Sequence, residues 1–265
     1  MNLLPLWYSD GLVALFGLLF GSFLNVIIYR VPAKISLMGR SYCPKCSHLI
    51  RGWHNIPVFA WFFLKGKCHD CKAPISWRYP AVEFIHAAAW VGIALWQGLH
   101  PISFLLMFFA SISIALSLID FDTLRLPDVI TLFASIVTVV SFVGISLYEG
   151  SWTRFIHSLI GACIYGVFYF TMWFLTRGRG LGFGDVKLAP LLGFVAGWFS
   201  FSAVFIGIAG SFILGGIPAG LLLLFGILKR GTKIPFGPAL ISGVWVGIIW
   251  GRPLVEFYLK ITHLK

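Results

Sequence analysis

Four aspartates stand in two short stretches of a chain that carries only nine acidic residues. Asp120, Asp122 and Asp128 belong to Ile119-Asp-Phe-Asp-Thr-Leu-Arg-Leu-Pro-Asp128, and Asp185 follows the glycine-rich Gly178-Arg-Gly-Leu-Gly-Phe-Gly184. Each stretch borders a long apolar run, where a carboxylate is costly to desolvate and usually marks chemistry or transport. Two carboxyls sharing a site cannot both ionise cheaply, so one keeps its proton while the other serves as base. Such a pair can activate a water against a peptide carbonyl, and its titration belongs to the pair. Gly182 and Gly184 permit close backbone approach beside Asp185, which suits admission of an extended peptide. The structural alternative is that Asp120 or Asp122 caps a helix or pairs with Arg125, and Asp185 pairs with Lys187.

A second constellation lies in the soluble segment 31–80. Cys43-Pro-Lys-Cys46 and Cys68-His-Asp-Cys71 are two C-x2-C knuckles, the thiolate set of a closed, structural tetrahedral zinc site. Their separation slightly exceeds the roughly 15–20 residues common in such sites. A redox pair is the rival, but nothing around the knuckles reads as a thioredoxin-like pattern. His48, His54 and His69 are read as surface or packing residues, and Cys163 as a small buried hydrophobe. Glu83 opens an apolar run. It is the acidic residue suspected for a second activity, or else an anchor paired with His86 or Arg78. Asn25 reads as a polar interhelical contact.

The elements that must position these groups are membrane helices. The chain is 59% hydrophobic and only 11% charged, far from a soluble composition. Apolar runs cover 11–29, 81–97, 102–119, 129–147 and 155–175, with a last one from Phe236 onward. The uncharged stretch from Leu188 to Leu228 is about twice what one crossing needs, so it should fold back between Gly197 and Ser202. The expectation is an all-α polytopic membrane protein of about eight transmembrane helices, with a small cytoplasmic zinc-knuckle domain after the first. Residues 1–30 form the first helix, 31–80 the zinc-binding domain and 81–265 the membrane core.

Orientation follows from the basic residues. Alternating the loops puts segment 30–80, Arg125, Arg177, Arg179, Lys187, Lys229, Arg230 and Lys233 on one side. Arg154, Arg252, Lys260 and Lys265 remain on the other. The rich side should be cytoplasmic and both termini outside, with Asp120 and Asp185 at similar depth on the cytoplasmic face. The net charge of +11 therefore reads as topology and excludes nucleic acid as the expected partner. No cleavable signal peptide is expected, since the start lacks a basic n-region. A proton channel or transporter would place its carboxylates near mid-span. A zinc scaffold would leave the aspartates without purpose, and a zinc metalloprotease would need His-Glu-x-x-His, which is absent. No Gly-rich nucleotide fingerprint occurs either.

Further segments carry a resemblance. Gly21-Ser-Phe-Leu-Asn-Val26, Tyr29-Arg-Val-Pro32, Asn55-Ile-Pro57, Gly66-Lys-Cys68, Arg78-Tyr-Pro-Ala-Val-Glu83 and Pro235-Phe-Gly-Pro238 accompany the two acidic clusters in a specific order. Over nearly its whole length the chain closely resembles the bacterial type IV prepilin peptidases, leader peptidase/N-methyltransferases of the GxGD aspartyl protease class. The resemblance implies that Asp120 and Asp185 are the catalytic pair. Asp120 is preferred to Asp122 by its offset from Leu126-Pro-Asp128, leaving Asp122 and Asp128 as supporting acids. Lys187 would tune Asp185 or anchor its helix at the headgroups. The substrate would be a prepilin or type II secretion pseudopilin in the inner membrane. It would be cut after a glycine on the cytoplasmic side, and the new amine methylated from S-adenosyl-L-methionine. Glu83 is the candidate for that second step, with the zinc segment shaping it or docking the leader.

Overall fold

The computed structural model describes residues 6–227, 229, 232 and 234–262. Leu228, Arg230, Lys233 and Lys265, which entered the span and orientation arguments, lie outside the described residues. Among those described, the regular elements are helices, joined by two isolated antiparallel bridges in the cysteine segment. After α1 (Leu6–Arg30) comes a 3-10 turn (Gly52–Asn55), then short α2 (Phe59–Phe63) and α3 (Arg78–Gln97). Next come α4 (Pro101–Thr123), α5 (Asp128–Glu149), α6 (Thr153–Leu175), α7 (Phe183–Phe199), α8 (Phe201–Leu224) and α9 (Gly237–Ile261). Two compact units divide within α4, one running to Ala115 and the other from Leu116 onward.

Six helices, α1, α4, α5, α6, α8 and α9, are long and apolar enough to cross a bilayer. Their large apolar side chains, such as Phe16 and Phe20 on α1 or Phe133 and Val140 on α5, are exposed. Such a surface suits lipid hydrocarbon and no aqueous phase; the chain is a multi-pass membrane protein. Length and hydropathy by themselves leave the expected count of eight unconfirmed. The other two expected crossings, α3 and α7, differ from these six in polarity or in length. α3 dilutes its apolar run with Arg78, Glu83, His86 and Gln97. α7 has 17 residues, about 25 Å of helix against a hydrocarbon core of about 30 Å.

In the first unit α1 and α3 pack through small residues. A side chain on Gly17 would sit 2.7 Å from the Ala87 Cα, and one on Gly21 2.9 Å from the Glu83 Cα. Close approach of this kind replaces the hydrophobic drive that lipid removes. Asn25 donates to the Tyr79 carbonyl at 3.1 Å, the interhelical contact expected of it. His86, fully buried, is held between the Gly17 carbonyl at 2.6 Å and the Ser111 hydroxyl at 2.8 Å.

In the second unit α7 is buried along nearly its whole length against α5, α6, α8 and α9, so it meets protein where a lipid-facing helix would meet acyl chains. Gly161 of α6 lies on Gly193 of α7, and Gly197 on the His157 carbonyl. Gly243 and Gly247 of α9 seat on Gly207 and Ala203 of α8 in the same way. The expected fold-back occurs at Ser200, whose extended backbone breaks the helix and whose hydroxyl accepts the Ala203 amide at 3.0 Å, capping α8. Cys163 is not buried as expected: it sits exposed on α6, where the apolar medium of a bilayer suits a thiol as well as a core does.

Candidate active site

Asp120 and Asp185 are both buried, at 5% and 6% exposure. Asp120 ends α4, and its Oδ2 accepts the amide of Gly237, the first residue of α9, at 3.0 Å. Asp185 lies in the first turn of α7, because that helix begins at Phe183 and not at Leu188. Its Oδ2 accepts the amide of Gly182 at 3.2 Å. Each carboxylate thus occupies a helix N-terminus, where unpaired amides and the helix dipole favour negative charge. The two are within electrostatic reach of one another.

Leu126, buried, connects the two turns. Side chains placed on Gly184 and Gly237 would meet it at 3.3 and 3.4 Å, and one on Gly237 would also come within 2.8 Å of Asp120 Oδ2. Glycine at 237 is required by this approach, which sequence reasoning noticed only as part of Pro235-Phe-Gly-Pro238. Asp122, two residues from Asp120 and so on the far side of the helix, is exposed. Asp128 is exposed as well. It takes both bonds of Lys187 Nζ, at 2.9 and 2.8 Å. The alternative Asp185–Lys187 pairing gives way to this link between α5 and α7, and Lys187 also lies 5.4 Å over the Phe183 ring.

In the first unit the four expected thiols come together. The sulfurs of Cys43, Cys46, Cys68 and Cys71 lie within 4.8 Å of one another. A tetrahedral ion with bonds of about 2.3 Å sets its sulfurs about 3.8 Å apart, and Cys43 Sγ lies 3.8 Å from Cys71 Sγ. The donor set can bind a metal. Amides of Cys46 and Lys45 pointing at Cys43 push its thiol down to about 6, toward the thiolate a metal takes. The two knuckles are also copies of one another. Cys43 and Cys68 receive the same turn bond, from the Ser47 and Lys72 amides at 2.8 and 3.1 Å. Bridges Tyr42 to Leu49 and Lys67 to Pro74 close each loop. His54 and His69 stack with ring centroids 4.6 Å apart, between the loops and outside the sulfur cluster.

Glu83 is buried, and its Oε2 accepts the Val58 amide at 2.6 Å. Val58 sits at φ 62° and ψ −56°, with the Phe59 amide bonded back to the Pro57 carbonyl at 2.6 Å. That is a γ-turn of the strained hand, at a β-branched residue. Of the two anchoring alternatives, His86 or Arg78, the first has both ring nitrogens engaged elsewhere. Three distant motif segments therefore meet at one strained turn: Gly21 against Glu83, Glu83 itself, and the residues after Asn55-Ile-Pro57. Nothing in the local sequence around Val58 announces the strain.

Two family models cover most of the chain. Residues 15–97 match the bacterial peptidase A24 N-terminal domain, and residues 107–224 the type IV leader peptidase family. A protein of Aeromonas hydrophila is 33% identical over 96% of this chain and 94% of its own length. One of Pseudomonas aeruginosa is 32% identical over 95% and 93%. One of Bacillus subtilis is 28% identical over 95% and 98%. Each is named prepilin leader peptidase/N-methyltransferase. No solved structure matches. The chain is thus a membrane-embedded peptidase. It belongs to the type IV leader peptidase family.

Proposed function

We propose that the chain is an aspartyl endopeptidase of the bacterial inner membrane. It removes the leader of type IV prepilins or type II secretion pseudopilins after a glycine, on the cytoplasmic side, and then methylates the new N-terminus. The observation that carries this reading is the pair of buried carboxylates, each on the first amides of a helix and in reach of the other. Asp120 and Asp185 would share one proton. The ionised carboxylate takes a proton from water as the oxygen attacks the peptide carbonyl, and the protonated one gives its proton to the carbonyl oxygen. Collapse of the tetrahedral carbon breaks the C–N bond, and the departing amine takes up a proton from the dyad. Both amide contacts hold the carboxylates through this cycle without needing to move.

The basic residues of segment 30–80, Arg125, Arg177 and Arg179 support a cytoplasmic site. A substrate whose helix lies in the bilayer presents its leader junction at that boundary. The four cysteines fit Zn2+ as a closed structural site with no position for a reacting water. The second activity rests on Glu83. S-adenosyl-L-methionine supplies a methyl group, and a buried carboxylate suits either its sulfonium or the substrate ammonium.

Mass spectrometry of a full-length prepilin incubated with the purified protein tests both activities. A product cut after the leader glycine, and heavier by one methyl only when the methyl donor is present, is the expected result. Uncut substrate from folded protein would overturn the reading.

A further inference from the structure

The packing of α6 on α7 supplies a register. Gly197 lies on His157 and Gly161 on Gly193, while Trp173 meets Phe183 with ring centroids 5.1 Å apart. In this antiparallel pair each four-residue step up α6 answers a four-residue step back along α7. Tyr165 follows against Gly193, and Tyr169 lies one turn further on, between it and Trp173, whose partner Phe183 stands two residues before Asp185. Tyr165 and Tyr169 are both fully buried, and neither hydroxyl has a hydrogen-bond partner among the described residues. Buried polar groups left so are rare in native structures and ask for an explanation. Ser211 of α8 lies near Tyr169; its own proton goes to the Gly207 carbonyl at 2.8 Å, which leaves its oxygen as the competing acceptor for the phenol. The charge of Asp185 also reaches the Tyr169 phenol.

We infer that Tyr169 is a positioning residue for the peptidase reaction, whose hydroxyl donates to the Asp185 carboxylate when peptide and water occupy the site. The inference rests on the aspartyl reading above. In the resting molecule the Gly182 amide donates to Asp185 Oδ2, at 3.2 Å. Hydrogen bonds of this kind often tighten only in the substrate complex. A second donor would fix which carboxylate oxygen faces the water, acting through Asp185 without touching the substrate. Tyr165 offers the same group at the same burial but sets its hydroxyl against Gly207 of α8, so the molecule contains its own control.

The test compares purified full-length Tyr169→Phe, Tyr165→Phe and Asp185→Asn with the parent in prepilin cleavage and in thermal unfolding. Tyr169→Phe should lower kcat roughly 10- to 100-fold, the worth of one hydrogen bond to a charged group, with KM changed less than about twofold. Tyr165→Phe should keep kcat within about threefold. Neither variant should melt below the parent, because each removes a hydroxyl with no partner in the resting state. The inference is overturned if Tyr169→Phe keeps the parental kcat, if both phenylalanine variants lose activity alike, or if only KM moves. It is also overturned if Tyr169→Phe melts well below the parent, since the hydroxyl would then serve the fold. Cleavage surviving in Asp185→Asn would sink the aspartyl reading itself and this role with it. Abolished cleavage there, beside an unimpaired Tyr169→Phe, would remove the role of Tyr169 alone.

Discussion

Gly237 donates its amide to Asp120 Oδ2 across 3.0 Å, and the same glycine leaves no room for a Cβ, which would stand 2.8 Å from that oxygen. The start of α9 is thereby fitted to a single carboxylate at the end of α4. Gly237→Ala must shift either the helix or the aspartate. Cleavage should fall by more than about tenfold, as misplacing a reacting group by about 1 Å can cost two decades. Kinetics of the purified variant, alongside its melting temperature, check this. Parental cleavage would mean that the contact is incidental.

Asp128 and Lys187 form an ion pair between exposed groups, with side chains 68% and 44% accessible. Pairs of this kind contribute about 0–1 kcal/mol. Lys187→Met should therefore leave stability within about 1 kcal/mol and cleavage within about tenfold, because the lysine is engaged with Asp128 and not with Asp185. Abolished cleavage in a folded Lys187→Met protein would return the lysine to the reaction.

Removal of the metal should act locally. Cys71→Ser, or treatment with a strong chelator, should abolish zinc binding in elemental analysis and expose segment 41–75 to protease. Cleavage of prepilin should fall less than about tenfold, since a structural ion supplies local folding energy and not chemistry. A bound ion that survives loss of a cysteine would contradict the four-thiolate arrangement.

Glu83→Gln keeps an oxygen that can accept the Val58 amide but removes the charge. Methyl transfer should drop by roughly 100-fold or more, the usual weight of a positioned base, while cleavage stays within a few-fold. Equal loss of both activities would identify Glu83 as a structural anchor of the α2 turn.

The helices were legible because long apolar runs in this chain end at charges, prolines or glycines; even the turn at Ser200 was expected to within a few residues. Which helix lies inside the bundle was not. α7 is apolar like its neighbours, and only its packing against four helices shows that protein and not lipid surrounds it. The four cysteines were legible as a site because their ligand type and spacing are local. Partner choice was harder. Lys187 sits two residues from Asp185 yet points to Asp128, 59 positions away, since helical residues two apart do not face each other. Gly237 reaches Asp120 through tertiary packing alone, and Val58 carries a strained backbone that no neighbouring residue type signals.

Leu126 touches the backbone turn that presents Asp185 and the one that holds Asp120. It works as a gauge block: the size of this one aliphatic group sets how far apart the two turns stand. A smaller residue lets them close and a larger one wedges them open, so the spacing available to a water and a peptide bond is written in a side chain that performs no chemistry.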